Sequence, residues 1–204
     1  MDIELSTSRV IGIYAPQKYG KTFITHYFLE EYMKHVEAYL YDTDLERHAS
    51  YRDLRNLNFV YPIKKTDIEK EESVNKAILT IRSKKTNCII AIEDIDKLMQ
   101  NKTKTKTNSE LYKIASDSRH QRIALLYNSK TPSYIPTTLR LNTNLFLFGK
   151  FIEPLAVDYI TSIIPKELYA KIHKPEFVFY DVWTQNVGII KYDVNKNEIL
   201  DVIK

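Results

Sequence analysis

Residues 10–22 read Val-Ile-Gly-Ile-Tyr-Ala-Pro-Gln-Lys-Tyr-Gly-Lys-Thr, and they point to both a fold class and a place to look for chemistry. Val10 to Tyr14 is a short apolar run that stops at a loop carrying Pro16 and Gly20, which reads as a buried strand. From Thr22 to Val36 the apolar positions 24, 27, 28 and 32 line one helical face. The intervening loop, Ala15-Pro16-Gln17-Lys18-Tyr19-Gly20-Lys21-Thr22, follows the Walker A pattern except that Ala15 stands where the first glycine is expected. A loop fed by a buried strand and leaving into a helix turns backbone N–H groups and a helix N-terminus toward phosphate. Gly20 permits the close backbone approach. Lys21 would set its ammonium on the β- and γ-phosphates of a nucleotide, and the Thr22 hydroxyl would hold Mg²⁺.

Working outward, Ala38 to Tyr41 is a second short strand that runs into Asp42 and Asp44. Val74, Ala77, Ile78 and Ile81 follow the i, i+3, i+4, i+7 spacing of an amphipathic helix. Cys88 to Ile92 is a third buried strand, Leu111 to Ala115 lies in a helix, and Ile123–Tyr127 and Leu145–Phe148 are a fourth and a fifth strand. Strands alternating with helices predict an α/β domain whose mainly parallel sheet is covered on both faces. Beyond Pro175, Glu176–Val182 and Val187–Val194 flank Thr-Gln-Asn and read as a terminal β-hairpin. There is no repeat and no interdomain linker, so residues 1–204 are expected to form one domain, with the hairpin at about 175–204 as an extension.

Composition narrows the classes. At 204 residues the chain can bury a full core without disulfides or metal, and 44% hydrophobic with 27% charged residues excludes a disordered or fibrous protein. One cysteine, Cys88, excludes a disulfide framework and any multi-cysteine metal site. The histidines at 26, 35, 48, 120 and 173 show no metal-ligand spacing. No apolar run nears the roughly 20 residues of a membrane span, and Met1-Asp2-Ile3-Glu4 lacks the features of a secretory signal. A net charge of +4 permits a polyanionic partner without demanding one.

The third strand supplies a second motif. Ile89-Ile90-Ala91-Ile92-Glu93-Asp94 carries four apolar residues into two carboxylates, the Walker B arrangement. One acid organises Mg²⁺ and its waters, and its neighbour polarises the water that attacks the γ-phosphate. By position Glu93 serves the metal and Asp94 is the base. The usual order is Asp then Glu, so the reverse assignment stays open. Alone, an acidic pair after a strand is also a favourable charge at a helix N-terminus. Beside the phosphate loop it is read as catalytic.

Three further stretches carry a family likeness: Tyr41-Asp42-Thr43-Asp44-Leu45-Glu46, Arg119-His120-Gln121-Arg122-Ile123, and Pro132-Ser133-Tyr134-Ile135-Pro136. With the two nucleotide motifs, over roughly residues 9 to 165, the chain resembles the HerA–FtsK superfamily of DNA-pumping P-loop ATPases. Within it, the genome-packaging ATPases of double-jelly-roll DNA viruses, including turreted archaeal viruses, are most similar. The resemblance implies a P-loop NTPase fold of the RecA-like (ASCE) type and an ATP- and Mg²⁺-dependent translocase that packages double-stranded DNA into a preformed capsid. It also implies a homo-oligomeric ring of five or six subunits, docking on capsid-vertex or membrane proteins, in the host cytoplasm or on the virion. Another DNA pump, a filamentous-phage-like assembly ATPase or a nucleotide-dependent switch would use the same motifs.

The resemblance also carries residue roles. The family's sensor glutamine precedes the Pro-Ser by two residues; here that position is Lys130, with Asn128 at the strand end, and either could read the γ-phosphate. Arg119 resembles the arginine that reaches a neighbouring subunit's nucleotide, with Arg122 and Arg140 as alternatives. Lys102, Lys104 and Lys106 alternate with threonines in a segment that faces the channel in ring translocases, where lysines hold DNA phosphates without reading sequence. The same run is also what a solvated surface loop looks like.

Overall fold

The strand that precedes the phosphate loop is buried along its whole length, which requires neighbours on both sides and cover on both faces. A computed structural model supplies them; it describes residues 6–42, 50–60, 71–84, 86–99, 110–193 and 198–203. In chain order the strands are β1 (Val10–Tyr14), β2 (Glu37–Tyr41), β3 (Asn58–Phe59), β4 (Cys88–Ile92), β5 (Ile123–Ser129), β6 (Leu145–Phe148), β7 (Phe177–Asp181), β8 (Asn186–Asp193) and β9 (Glu198–Ile203). The helices are α1 (Lys21–Met33), α2 (Glu71–Lys84), α3 (Ile95–Met99), α4 (Glu110–Gln121), α5 (Thr137–Asn142), α6 (Pro154–Thr161) and α7 (Lys166–Lys171).

Among the described residues the nine strands join one sheet in the order β3-β2-β4-β5-β1-β6-β7-β8-β9. From β3 to β6 every pairing is parallel; β7, β8 and β9 follow as an antiparallel meander. β5 sits between the phosphate-loop strand β1 and the acidic strand β4, so both motifs end at the same edge of the sheet. β1 lies where the chain's order reverses, the switch point at which open α/β sheets form their ligand crevice.

Alternate residues of each central strand enter one of two cores. Ile11, Ile13, Ile89, Ala91, Leu126 and Leu147 pack against Ile24, Phe28 and Leu29 of α1 and against Tyr51, Leu54 and Leu57. Val10, Tyr14, Ile90, Ile92, Leu125 and Phe148 face the other way, toward Val74 and Ile78 of α2, Ile114 of α4 and Ile160 of α6. Burying a side chain such as Phe28 or Leu29 contributes about 2 kcal/mol.

The expected parallel sheet with helices on both faces is therefore present, and β1, β4 and β6 have the bounds read from the sequence. The expected hairpin is present as β7 and β8, and β9 extends it by a third strand beyond the two that the sequence pattern predicts. No helix among the described residues is long and apolar enough to cross a membrane.

Candidate active site

The phosphate loop follows directly from β1. Ala15 N–H donates to the Ser129 carbonyl at 3.2 Å, and Tyr19 N–H closes back on the Pro16 carbonyl at 3.3 Å. Lys18 (φ 60°) and Gly20 (φ 110°) take left-handed backbone, which curls successive N–H groups toward one concavity. α1 then begins at Lys21 with no side-chain cap and no acid in its first turn. The N–H groups and positive dipole end of a helix that starts this way suit an outside anion.

The departure at Ala15 has a compensation across the sheet. A Cβ at Gly149, just past β6, would lie 2.7 Å from the Ala15 Cβ and 2.7 Å from the Tyr19 ring. The glycine missing at 15 is matched by one at 149, so the loop keeps its close packing. Tyr19 also anchors the loop outward: its hydroxyl donates to the Glu176 carbonyl at 3.0 Å and its ring meets Phe177 edge-on.

Lys21 is buried, and its Nζ donates to the carbonyls of Ala15 at 2.8 Å and Pro16 at 3.2 Å, so its charge lies across the loop. Burial holds its pKa below the ordinary lysine value, against the pull of Asp94, Glu93 and Asp96, while Lys130 lowers it further.

At the end of β4, Glu93 is fully buried; its N–H continues the sheet by donating to the Tyr41 carbonyl at 3.0 Å, and its carboxylate accepts the Tyr51 hydroxyl. Burial first, and Glu93 second, push the Tyr51 pKa well above its ordinary value, which keeps this hydroxyl a donor. Asp94 turns sharply, with φ 46°, and its N–H donates to Asn128 Oδ1 at 2.7 Å. Asn128 Nδ2 in turn donates to Thr25 Oγ1 at 3.0 Å, one turn into α1 from Thr22. Thus Asn128 ties the acidic corner to the phosphate-loop helix.

Gln17, Lys18, Tyr19, Gly20, Lys21, Thr22, Asp94 and Lys130 line one cleft of about 520 Å³, together with Phe23 and Ser50. Ala15 and Pro16 contribute their carbonyls to Lys21 beneath it. Glu93 and Asn128 stand behind Asp94, with their side chains engaged inside the protein. Lys130 reaches the cleft with its N–H 3.3 Å and its Nζ 3.9 Å from the buried Asp96 carboxylate. Arg119 is elsewhere. It is exposed on the last turn of α4, beside Asn144 and Trp183 in a second cleft of about 360 Å³ at the amino ends of the parallel strands. Lys102, Lys104 and Lys106 lie outside the described residues, as do Thr43, Asp44, Leu45 and Glu46; Asp42 is buried. Tyr51, Ser50 and Thr25 carry no motif that marks them in the sequence.

Among the described residues no three His, Cys, Asp or Glu side chains cluster to hold a metal unaided. Mg²⁺ needs no such cluster, since it takes one or two protein oxygens and fills the rest of its octahedron with phosphate and water. The hydroxyl of Thr22 and the Glu93–Asp94 carboxylates are hard oxygen donors of that kind.

A strand–loop–helix ending in Gly-Lys-Thr, an acidic strand end and one strand between them define a P-loop nucleoside-triphosphate-hydrolysing domain. Residues 11–148 match the family model for the ATPase family associated with various cellular activities (AAA). The chain belongs to that family and is an ATP-binding, ATP-hydrolysing enzyme. No curated protein matches it in sequence. Among solved structures, the DNA-packaging ATPase B204 of Sulfolobus Turreted Icosahedral Virus superimposes with a TM-score of 0.71 at 19% identity, over 92% of this chain and 98% of that one. B204 of Sulfolobus turreted icosahedral virus 2 in complex with ATP-gammaS gives 0.72 at 18% identity with the same coverage. EssC (ATPases 2 and 3) from Geobacillus thermodenitrificans gives 0.64 at 17% identity, over 89% of this chain and 39% of that one. At these identities the likeness establishes the fold.

Proposed function

We propose that this ATPase drives double-stranded DNA into a preformed viral capsid as a subunit of a homo-oligomeric ring. The observation that carries the proposal is the extent of overlap: B204 is matched over 98% of its chain, whereas EssC is matched over 39%. The role that the resemblance gives Arg119 is compatible only with a ring. Strand rise puts Arg119 roughly 15 Å from its own phosphate loop, so its charge can serve a nucleotide only in another copy.

In this reading Lys21 and the N–H groups of residues 17–22 hold the β- and γ-phosphates. Asp94 faces the cleft and accepts the proton of the water that attacks the γ-phosphorus. Asn128 fixes the backbone from which Asp94 projects, and Lys130 reads the γ-phosphate. Thr22, which lines the cleft, would hold Mg²⁺, and Glu93, buried behind Asp94, would act on it only through an intervening group or water; when bound the metal offsets phosphate charge. Lys102, Lys104 and Lys106 grip the DNA backbone.

The test is ATP turnover with and without linear duplex DNA. DNA should raise turnover several-fold. Replacing Lys102, Lys104 and Lys106 with alanine should abolish that stimulation and spare basal turnover. It should also reduce the slope of log affinity against log salt by about 0.9 for each DNA phosphate that a lysine no longer neutralises. Turnover indifferent to DNA would instead support a nucleotide-dependent switch.

A further inference from the structure

The turn between β7 and β8 holds the chain's only tryptophan, Trp183, and nothing in the ATP cleft uses it. The turn is nevertheless fastened with unusual care. The Asp181 carboxylate accepts both terminal N–H groups of Arg9 at 2.9 Å, and Oδ1 also accepts the Trp183 backbone N–H at 3.0 Å. Val182 N–H donates to the Asn144 carbonyl at 2.9 Å, while the Asn144 side chain accepts Val10 N–H at 3.1 Å. The indole is therefore held against the first residues of β1 and the approach to β6. Two guanidinium groups meet it: the fully buried Arg9, 4.3 Å from the ring centroid, and the exposed Arg119, 5.6 Å away.

No carboxylate among the described residues pairs with Arg119. This matters chemically. A carboxylate would occupy the N–H fork and neutralise its charge, whereas an aromatic face attracts the flat side of the guanidinium and leaves its in-plane donors available for phosphoryl oxygens. The contact, 5.6 Å from guanidinium carbon to ring centroid, restricts rotamer freedom that an exposed arginine would otherwise lose at the moment of docking. We propose that Trp183 is a positioning residue, holding Arg119 in the orientation in which it reaches a neighbouring subunit's nucleotide. This rests on the reading of Arg119 as the arginine acting in trans. It gives the C-terminal meander, which lies outside the nucleotide motifs, a part in catalysis.

The assembled protein with ATP, Mg²⁺ and DNA provides the test. Trp183→Leu should lower kcat about three- to fivefold with KM for ATP unchanged, the change expected when an exposed cation–π interaction is removed. Trp183→Phe should recover most of it. In an Arg119→Ala background the leucine substitution should have no further effect. Because Trp183 is the only tryptophan, its emission in otherwise native protein reports on the groups that meet the indole, and Arg119→Ala should shift it while Arg140→Ala does not. If Arg119→Ala is impaired but folded Trp183→Leu turns over normally, the positioning role is overturned and the trans arginine stands. If Arg119→Ala turns over normally, both fall. An equal loss from Trp183→Leu with and without Arg119 reduces Trp183 to a structural residue and also overturns the proposal. Should the leucine variant not fold, the emission decides, and no shift in Arg119→Ala overturns the contact itself.

Discussion

Asp94 occupies left-handed backbone, φ 46°, a conformation that costs a non-glycine residue about 1–2 kcal/mol. It persists because Asn128 takes its N–H and Thr25 holds Asn128, so the strain is fixed by the helix into which the phosphate loop runs. Asp94→Asn keeps this geometry and removes only the proton acceptor. It should bind ATP with near-native affinity and lose at least a hundredfold in turnover, measured by nucleotide binding and phosphate release on the same preparation. Lys21→Ala should lose binding and turnover together, since the buried ammonium is the strong charge on the loop. If Asp94→Asn keeps turnover while Glu93→Gln loses it, the two carboxylates have exchanged roles. The adjacent acids can be read from the sequence; which of them faces the cleft cannot. That depends on the Tyr51 hydroxyl, brought onto Glu93 from 42 residues away in the chain.

Among the elements, the join between β1 and the meander is one that responds to pH. Burial acts to raise the Asp181 carboxyl, and the hydrogen bonds and charge of Arg9 overcome it, leaving Asp181 below the usual carboxylate range. A depressed carboxylate stabilises the fold fully above its unfolded-state pKa, and the contribution is lost as pH falls through the folded value. Asp181→Asn should therefore cost about 3 kcal/mol at neutral pH, because Arg9 is left buried without its counter-charge. The wild-type and variant melting curves should converge in strong acid, where both lack the carboxylate. A difference in melting temperature that persists unchanged to low pH would assign the loss to packing. β1, β4 and β6 are legible because each is an apolar run between breakers, buried on both faces. β3 has only two residues, too few for any periodicity, and β9 is recognisable chiefly by the partner it finds in β8. The pairing of Arg9 with Asp181 spans 172 residues, a separation across which local patterns carry no information.

At the scale of the molecule, nucleotide chemistry and the arginine lie at opposite ends of one sheet. If each subunit completes its neighbour's site, Arg119→Ala should bind ATP normally and hydrolyse it poorly. Mixing it with Lys21→Ala should restore part of the activity, since an interface can then combine an intact loop from one subunit with an intact arginine from the other. Turnover measured across mixing ratios should pass through a maximum; a flat profile in confirmed mixed assemblies would count against Arg119. β1 joins these two ends. It leaves Asn144 and Arg9 at one end and delivers Ala15 at the other, hydrogen-bonded along its length to β5 and β6. Ladders on both sides make it a strut between the two ends, the element through which a displacement of the loop would reach the Trp183 end and, in the ring proposed above, the subunit next door.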